Sequence, residues 1–225
     1  MPRFATLALL TVLSLAACAA PANQSAAQRL VDRSTLTVES IMTSSSGPSV
    51  ASTLKSARAV IICPEVFQVG FIIGGSGGGC IMAARAAEGS WSDPAFYTIG
   101  SGSLGLQAGI ENSSVLIMIM NDKALNAVIN SQFKIGADAS LAVANFGAGV
   151  GGATTAALRA DIVTFAENRG LFAGVSLNGA LLSANSGSNQ AYYGKPFGTR
   201  QIVIAVQANN PGANPLRSVL ARYGN

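Results

Sequence analysis

The 225-residue sequence contains no histidine, and charged residues make up only 11% of it. Without imidazole the chain cannot form a His-based catalytic triad, a His-ligated metal site or an imidazole acid–base pair. Its lysines and arginines form no cluster, which argues against a nucleic-acid partner. The sequence therefore points away from an enzyme and from a need for a metal or other cofactor.

Aromatic residues are also scarce at 6%, whereas the chain has 25 glycines and a hydrophobic fraction of 49%. A transmembrane barrel needs aromatic girdles at both interfaces, which so few aromatics do not supply. Many glycines with few charges indicate strands that meet through tight turns and close backbone approach. The composition predicts an α+β fold with an antiparallel, curled sheet or partial β-barrel of about six to eight strands, with short helices at its ends.

Hydrophobic spacing predicts where helices lie along the chain. Helical spacing covers four segments, which are residues 28–43, 48–57, 185–193 and 215–223. A fifth helix is expected over 123–131, with the Asp122 side chain as its N-cap.

Runs of apolar and alternating residues predict the strands. Strands are expected over 59–63, 95–110 and 114–120, with others inside 133–182. Pro64 is expected to end the first of them, because proline cannot donate to a ladder. The run Gly74–Gly79 is expected to be the turn of a hairpin, flanked by strands at 69–73 and 80–84.

Three glycine motifs match known signatures but lack the context that those signatures require. The run from Gly74 through Ser76 to Gly78 fits G-x-S-x-G, yet a nucleophile elbow needs a histidine base. Residues 100–105 and 147–152 fit G-x-G-x-x-G, and neither stands between a predicted strand and a predicted helix. We interpret all three as structural glycines. Two carboxylates that converge in the fold are the remaining route to catalysis.

The first residues of the chain have the pattern of a targeting signal. Arg3 precedes an apolar run over 4–17, which is shorter than the roughly 20 residues that span a bilayer. The run ends in Ala-Ala-Cys18, which resembles the bacterial lipobox, where the cysteine thiol receives diacylglycerol before cleavage. We expect residues 1–17 to be a signal peptide, Cys18 to be lipidated and residues 18–27 to form a tether. Ordinary signal cleavage nearby, with Cys18 incidental, is the alternative.

Cys63 and Cys80 are the cysteines that remain. In an oxidising envelope two such residues can pair, and they would close a loop of about 16 residues worth roughly 3 kcal/mol. Two small buried thiols are the other interpretation, and the spacing does not decide between them.

Eight short segments of the chain carry the pattern of a known family. They are Lys55-Ser-Ala-Arg58-Ala-Val, Gly70-Phe-Ile-Ile-Gly-Gly-Ser-Gly77, Trp91-Ser-Asp-Pro94, Gly105-Leu-Gln-Ala-Gly109, Val115 to Asn121, Lys134-Ile-Gly136, Arg169-Gly-Leu-Phe-Ala-Gly-Val-Ser176 and Tyr192-Tyr-Gly194. In this order they resemble the SYLF domain family, known also from actin-regulating yeast and animal proteins. The resemblance covers nearly all of the predicted domain, residues 28–225.

The resemblance implies a lipid-binding module without catalytic activity. Eukaryotic members bind phosphoinositides through basic residues near an N-terminal amphipathic helix. By this resemblance Lys55 and Arg58 are candidate lipid-binding residues, with Arg29 and Arg33 as looser candidates on the preceding helix. Each cation near a membrane surface contributes roughly 1 kcal/mol to binding.

The expected function is that of a membrane-anchored envelope lipoprotein with a phospholipid-binding domain. Ala19 follows Cys18 in place of Asp, which resembles the sorting signal for the outer membrane, facing the periplasm. Gln68, Ala148 and Asn178 depart in charge from the family pattern, so phosphatidylglycerol, cardiolipin or another envelope lipid is an alternative to a phosphoinositide. A structural or assembly lipoprotein that binds another envelope protein is the competing function.

Overall fold

The computed structural model describes residues 22–70, 73–86, 89–104, 109–130, 132–138, 140–145, 160–169 and 179–225. Cys18, the predicted signal peptide, Ala148 and Asn178 lie outside these residues. The elements follow in the order α1 (Ala22–Thr43), α2 (Gly47–Ser56), β1 (Ala59–Gly70), β2 (Ile73–Ala84), β3 (Ala95–Leu104), β4 (Gly109–Ile119), α3 (Asp122–Asn130), β5 (Phe133–Lys134), β6 (Leu141–Asn145), β7 (Ile162–Arg169), β8 (Leu181–Ala184), α4 (Ser186–Tyr193), α5 (Thr199–Val203), a 3₁₀ turn (Pro211–Ala213) and α6 (Asn214–Gly224).

The strands form one sheet in the order β5-β8-β3-β2-β1-β4-β7-β6. Neighbouring strands are antiparallel except for β6 and β7, which pair in parallel at one edge. Strands β1, β2 and β3 follow one another, and β4 returns to the free side of β1, which is a Greek-key arrangement. The sheet curls into a half-barrel. The predicted α+β fold with a curled, largely antiparallel sheet is therefore confirmed.

Helices cover both faces of the sheet as well as its ends. Ala59, Ile61 and Cys63 of β1 point into a core that includes residues of α3 and α5. Val60 and Ile62 point into a second core with α1, α2, α4 and α6. Successive side chains of a strand alternate between faces, so burial on both faces explains why residues 59–63 are apolar throughout.

Strand β1 continues past Pro64, so the prediction that this proline ends the strand is wrong. The register of β1 with β4 shifts between Cys63 and Val66, which is where a bulge accommodates the missing proline N–H. The Pro64 carbonyl accepts a hydrogen bond of 2.9 Å from the Ser114 hydroxyl. The bulge therefore redirects β1 without breaking the sheet.

The glycine run Gly74–Gly79 lies inside strand β2 and is not a hairpin turn, which corrects the second strand prediction. Gly75 pairs with Val69 on one side and with Gly102 on the other. The need for glycine is clearest at Gly78, where a Cβ atom would collide with the carbonyl oxygen of Glu65 in the bulge. A run of glycines suits a turn, but here it lets two backbones approach each other closely.

The segment predicted as one bent strand over 95–110 contains β3 and the start of β4. These two strands do not pair, since β1 and β2 lie between them in the sheet. The strands expected inside 133–182 are shorter than predicted in the described residues, where they are β5, β6, β7 and β8.

Helix α1 begins at Ala22, so residues 22–27, predicted as tether, are helical. Ala27 is buried, and the Gln28 side-chain amide donates a 3.1 Å hydrogen bond to the Gly212 carbonyl.

At the start of α3 the cap is Asn121 rather than Asp122, since the Asn121 Oδ1 accepts from the Ala124 N–H at 2.9 Å. None of the helices in the described segments has the length and apolar character needed to cross a bilayer.

Asp161 connects three segments at the end of the sheet where β7 begins. Its carboxylate accepts hydrogen bonds from the Ser140 N–H at 3.0 Å, the Ser140 hydroxyl at 2.8 Å and the Asn121 side-chain amide at 2.7 Å. These bonds, with that of the Ser140 N–H the strongest cause, lower the pKa of Asp161 from 3.8 to about 2.

We expect Gly78→Ala to lower the free energy of unfolding by about 1–3 kcal/mol, because the bulge must move to admit the new methyl group. Gly102→Ala is the matched control, since a Cβ there meets no atom within 4 Å. Its effect should stay within about 0.5 kcal/mol. Urea unfolding of both variants measures the difference, and equal effects would contradict the close approach.

We expect Asp161→Asn to remove a pH-dependent part of the stability. A carboxylate whose pKa is lower in the folded state stabilises the fold above its unfolded pKa near 3.8, and this stabilisation is lost as pH falls towards 2. The stability difference between wild type and variant should therefore shrink between pH 5 and pH 2.5 in thermal unfolding. A difference that does not change with pH would contradict the assigned hydrogen bonds.

A cationic cavity at one end of the sheet

A cavity of about 610 Å³ lies where β1 begins and β2 ends. Three of its lining residues are arginines and one is a carboxylate. The lining residues are Arg58, Arg85, Ala86, Gly89, Asp122, Leu125, Asn126, Arg200 and Ile204. We call this feature the cationic cavity.

Arg58 directly precedes β1, and backbone hydrogen bonds fix its position. Its N–H donates to the Ile119 carbonyl at 2.7 Å, and its own carbonyl accepts from the Arg85 N–H at 2.9 Å. The side chain is half exposed and donates through Nε to Asp122 Oδ1 at 2.8 Å. An exposed ion pair of this kind contributes little to stability.

Arg85 follows β2 and its guanidinium is held by backbone carbonyls. It donates to Leu54 and Lys55 at the end of α2, to Ala57 just beyond, and to Gly224 at the end of α6. Its Cζ atom lies 4.7 Å from the centroid of the Trp91 ring. The carbonyl ends of two helices carry partial negative charge, which the guanidinium balances.

The pKa of Arg85 is lowered from its ordinary value, first by burial and second by the positive charge of Arg58. The second effect means that the two guanidinium groups repel each other across the cavity wall. A bound anion would relieve this repulsion.

Arg200 reaches the cavity from α5 and is oriented by two amides of α3. Its Nη2 donates to Asn126 Oδ1 at 2.8 Å and to Asn130 Oδ1 at 3.0 Å. Both acceptors are uncharged, so the positive charge of Arg200 is not neutralised by these contacts. Helices α3 and α5 therefore present a second guanidinium to the cavity that Arg58 lines.

The structure brings together only part of the predicted lipid-binding set. Arg58 lines the cationic cavity, and Lys55 stands beside it with an exposed side chain and its carbonyl bonded to Arg85. Arg33 forms an ion pair with Glu65 on the other side of the sheet. Arg29 donates within α1 to Ser25 Oγ at 3.2 Å. Arg29 and Arg33 therefore lie apart from the cavity.

Two arginines of the cavity were missed by sequence reasoning. Arg85 had a usable signal, because it directly follows the run of strand 80–84 while Arg58 directly precedes strand 59–63. In an antiparallel hairpin these two positions become neighbours. Arg200 had no comparable signal, since only the packing of α5 against α3 brings it to the cavity.

Cys63 and Cys80 are joined by a disulfide between the neighbouring strands β1 and β2. Both residues are fully buried, next to the bulge of β1.

The serine of the G-x-S-x-G match, Ser76, shares a hydrogen bond of 2.7 Å with the Ser101 hydroxyl on β3. Gly100 and Gly102 lie within β3 itself, so their motif does not stand between a strand and a helix.

Comparison with known proteins places the chain in a family. A family model named Ysc84, described as "Las17-binding protein actin regulator", matches residues 100–223, more than half of the chain. The SH3 domain-containing YSC84-like protein 1 of Homo sapiens is 31% identical over 186 residues, which are 81% of this chain and 54% of that protein. Protein YSC84 of Saccharomyces cerevisiae is 26% identical over 172 residues, which are 74% of this chain and 36% of that protein.

The chain spans about half the length, or less, of the curated relatives that it matches. The family match begins inside β3 and ends inside α6, and therefore includes Asp122 and Arg200 of the cationic cavity. The resemblance noted in the sequence is confirmed at the level of the family. The chain belongs to the Ysc84 family, which is the SYLF domain family.

Proposed function

We propose that this chain is an envelope lipoprotein, anchored through lipidated Cys18, whose domain binds anionic phospholipid headgroups in the cationic cavity. The observation that carries the proposal is the placement of three arginines and one carboxylate around one cavity. Such a concentration of positive charge is unusual in a chain with only 11% charged residues. The anchor would hold the domain at the outer membrane, facing the periplasm.

Guanidinium groups suit phosphate because their planar forks bind its oxygens through two parallel hydrogen bonds. In the described residues Arg58 uses only Nε and Arg200 only Nη2 for side-chain hydrogen bonds. Each therefore keeps further donors for a ligand. The cavity volume of about 610 Å³ is in the range of small-molecule sites and accommodates a lipid headgroup.

Asp122 gives the site a built-in competitor. Its carboxylate accepts from Arg58 Nε, and a phosphate that approaches the same guanidinium competes with it. A singly charged carboxylate that is two-thirds exposed is a weak rival to a phosphate shared by two guanidinium groups. Asp122 therefore favours phosphate ligands over weaker anions such as a lone carboxylate.

A protein partner is the second candidate ligand. The family description names a Las17-binding protein and actin regulator, and the half-length match leaves room for partners that only the longer relatives bind. For this chain the equivalent would be another envelope protein. In that case lipid contact would come from Cys18 alone. Binding in either case needs no catalytic step.

We expect residues 19–225, made without the anchor, to sediment with vesicles that contain phosphatidylglycerol and not with pure phosphatidylcholine. Arg58→Ala and Arg200→Ala should each weaken binding by roughly fivefold, since each removes one cation near the surface. Asp122→Asn should strengthen it by removing the competing carboxylate.

Arg29→Ala is the matched control, because it removes the same charge from an exposed site outside the cavity. It should change binding by less than about twofold, a residual long-range effect that salt screens. Equal losses for Arg29→Ala and Arg58→Ala would mean that net charge, and not the cavity, attracts the membrane. No binding to any vesicle, with one protein co-purifying in fixed proportion, would favour the protein partner.

A further inference from the structure

The segment 204–207 leaves α5 next to the cationic cavity and exposes two aliphatic side chains. Ile204 is 44% exposed and Val206 is 47% exposed, although both are large apolar residues. Ile204 also lines the cavity, so apolar surface and guanidinium groups adjoin each other. We call residues 204–207 the apolar loop.

The backbone of the apolar loop is held in an unfavourable conformation. Val206 has a φ of 49°, in the left-handed region that β-branched residues avoid. The Ala205 N–H donates to the Arg200 carbonyl at 3.0 Å, and the Gln207 N–H donates to the Gln201 carbonyl at 2.9 Å. These bonds hold the loop against the backbone of α5 at Arg200, which lines the cavity. A left-handed residue commonly ends a helix, but Gly or Asn suits that position better than Val.

The chain around the apolar loop carries no charge. From Gln201 to Leu216 the sequence has no Asp, Glu, Lys or Arg, whereas Arg200 stands immediately before this stretch. Transfer of the loop from water into a bilayer therefore desolvates no charged side chain. The arginines would remain at the depth of the lipid headgroups. An apolar tip beside a cationic site matches the arrangement of an anionic bilayer, where acyl chains lie beneath phosphates.

We propose that the apolar loop inserts Ile204 and Val206 into the acyl region of an anionic membrane while the cationic cavity holds a headgroup phosphate. This inference rests on the proposed function and adds the part of the domain that enters the bilayer. It also gives the orientation of the domain, with α5 and the end of β2 towards the membrane. Leu36, the most exposed large apolar residue of α1, lies near Arg33 and Glu65 and outside the cationic cavity, so we expect it to stay in water.

Fluorescence quenching in the full chain tests the insertion. Ile204→Trp adds a reporter to the buried Trp91, whose signal is subtracted using the unsubstituted chain. In vesicles of phosphatidylglycerol and phosphatidylcholine that carry acyl-brominated lipid, the new tryptophan should be quenched. In phosphatidylcholine alone it should not be. Leu36→Trp is the matched control and should stay unquenched in both. Equal quenching at the two positions, or none at position 204, would overturn the proposal.

Val206→Asn separates insertion from folding. Asparagine tolerates the left-handed conformation, so the melting temperature should stay equal or rise. Insertion measured by the tryptophan of Ile204→Trp should fall roughly tenfold in the double variant, because one buried aliphatic side chain is lost. Leu36→Asn should leave insertion unchanged. Unchanged insertion in the Val206→Asn variant would count against a membrane role for this loop.

The failures of the two proposals differ. Binding to anionic vesicles that depends on Arg58 and Arg200, without quenching at position 204, would leave the headgroup site standing and overturn insertion. Absence of all binding by residues 19–225 would overturn both.

Discussion

The end of the molecule that carries the cationic cavity depends on the contacts of the Arg85 guanidinium. It donates to the last carbonyls of α2 and of α6, two helices far apart in sequence, and stacks on Trp91. A hydrogen bond to a charged group is worth roughly 1.5–3 kcal/mol, and a carbonyl left without it in a buried place costs a similar amount. Because these contacts engage the Arg85 guanidinium, Arg58 and Arg200 are the cavity arginines with donors left for a ligand.

The Greek-key sheet places this contact and the cavity at one end of β1 and β2. The bulge after Cys63 places the Glu65 carbonyl against β2 at position 78. Only glycine fits at this position, because a Cβ atom would collide with the carbonyl oxygen. The disulfide between Cys63 and Cys80 holds the same two strands together beside the bulge. A stiff hairpin thus fixes the backbones of Arg58 and Arg85 relative to each other. Helices α3 and α5 contribute the remaining walls of the cavity.

Some of this architecture could be predicted from the sequence, where local pattern and tertiary environment agree. Residues 59–63 are apolar at every position because both faces of β1 are covered. Helix α4 is capped by Asn185, whose side chain accepts from the Ser188 N–H. The glycine run of β2 was misassigned because turns and close backbone approach favour the same residue. The bulge that decides between them is a tertiary feature. Arg58 was found through the family pattern, whereas Arg200 depends on a helix packing that no local signal reports.

Hydrogen–deuterium exchange on Arg85→Lys tests the central role of this residue most directly. Lysine keeps the charge but cannot bridge the two helix ends, so the Ala57 and Asn225 amides, bonded to Leu54 and Ala221, should exchange faster together, by roughly tenfold or more. Arg222→Lys on the exposed side of α6 should leave both unchanged. Faster exchange at one helix end only, or at neither, would contradict the account that Arg85 joins the two helices and thereby builds the cavity wall.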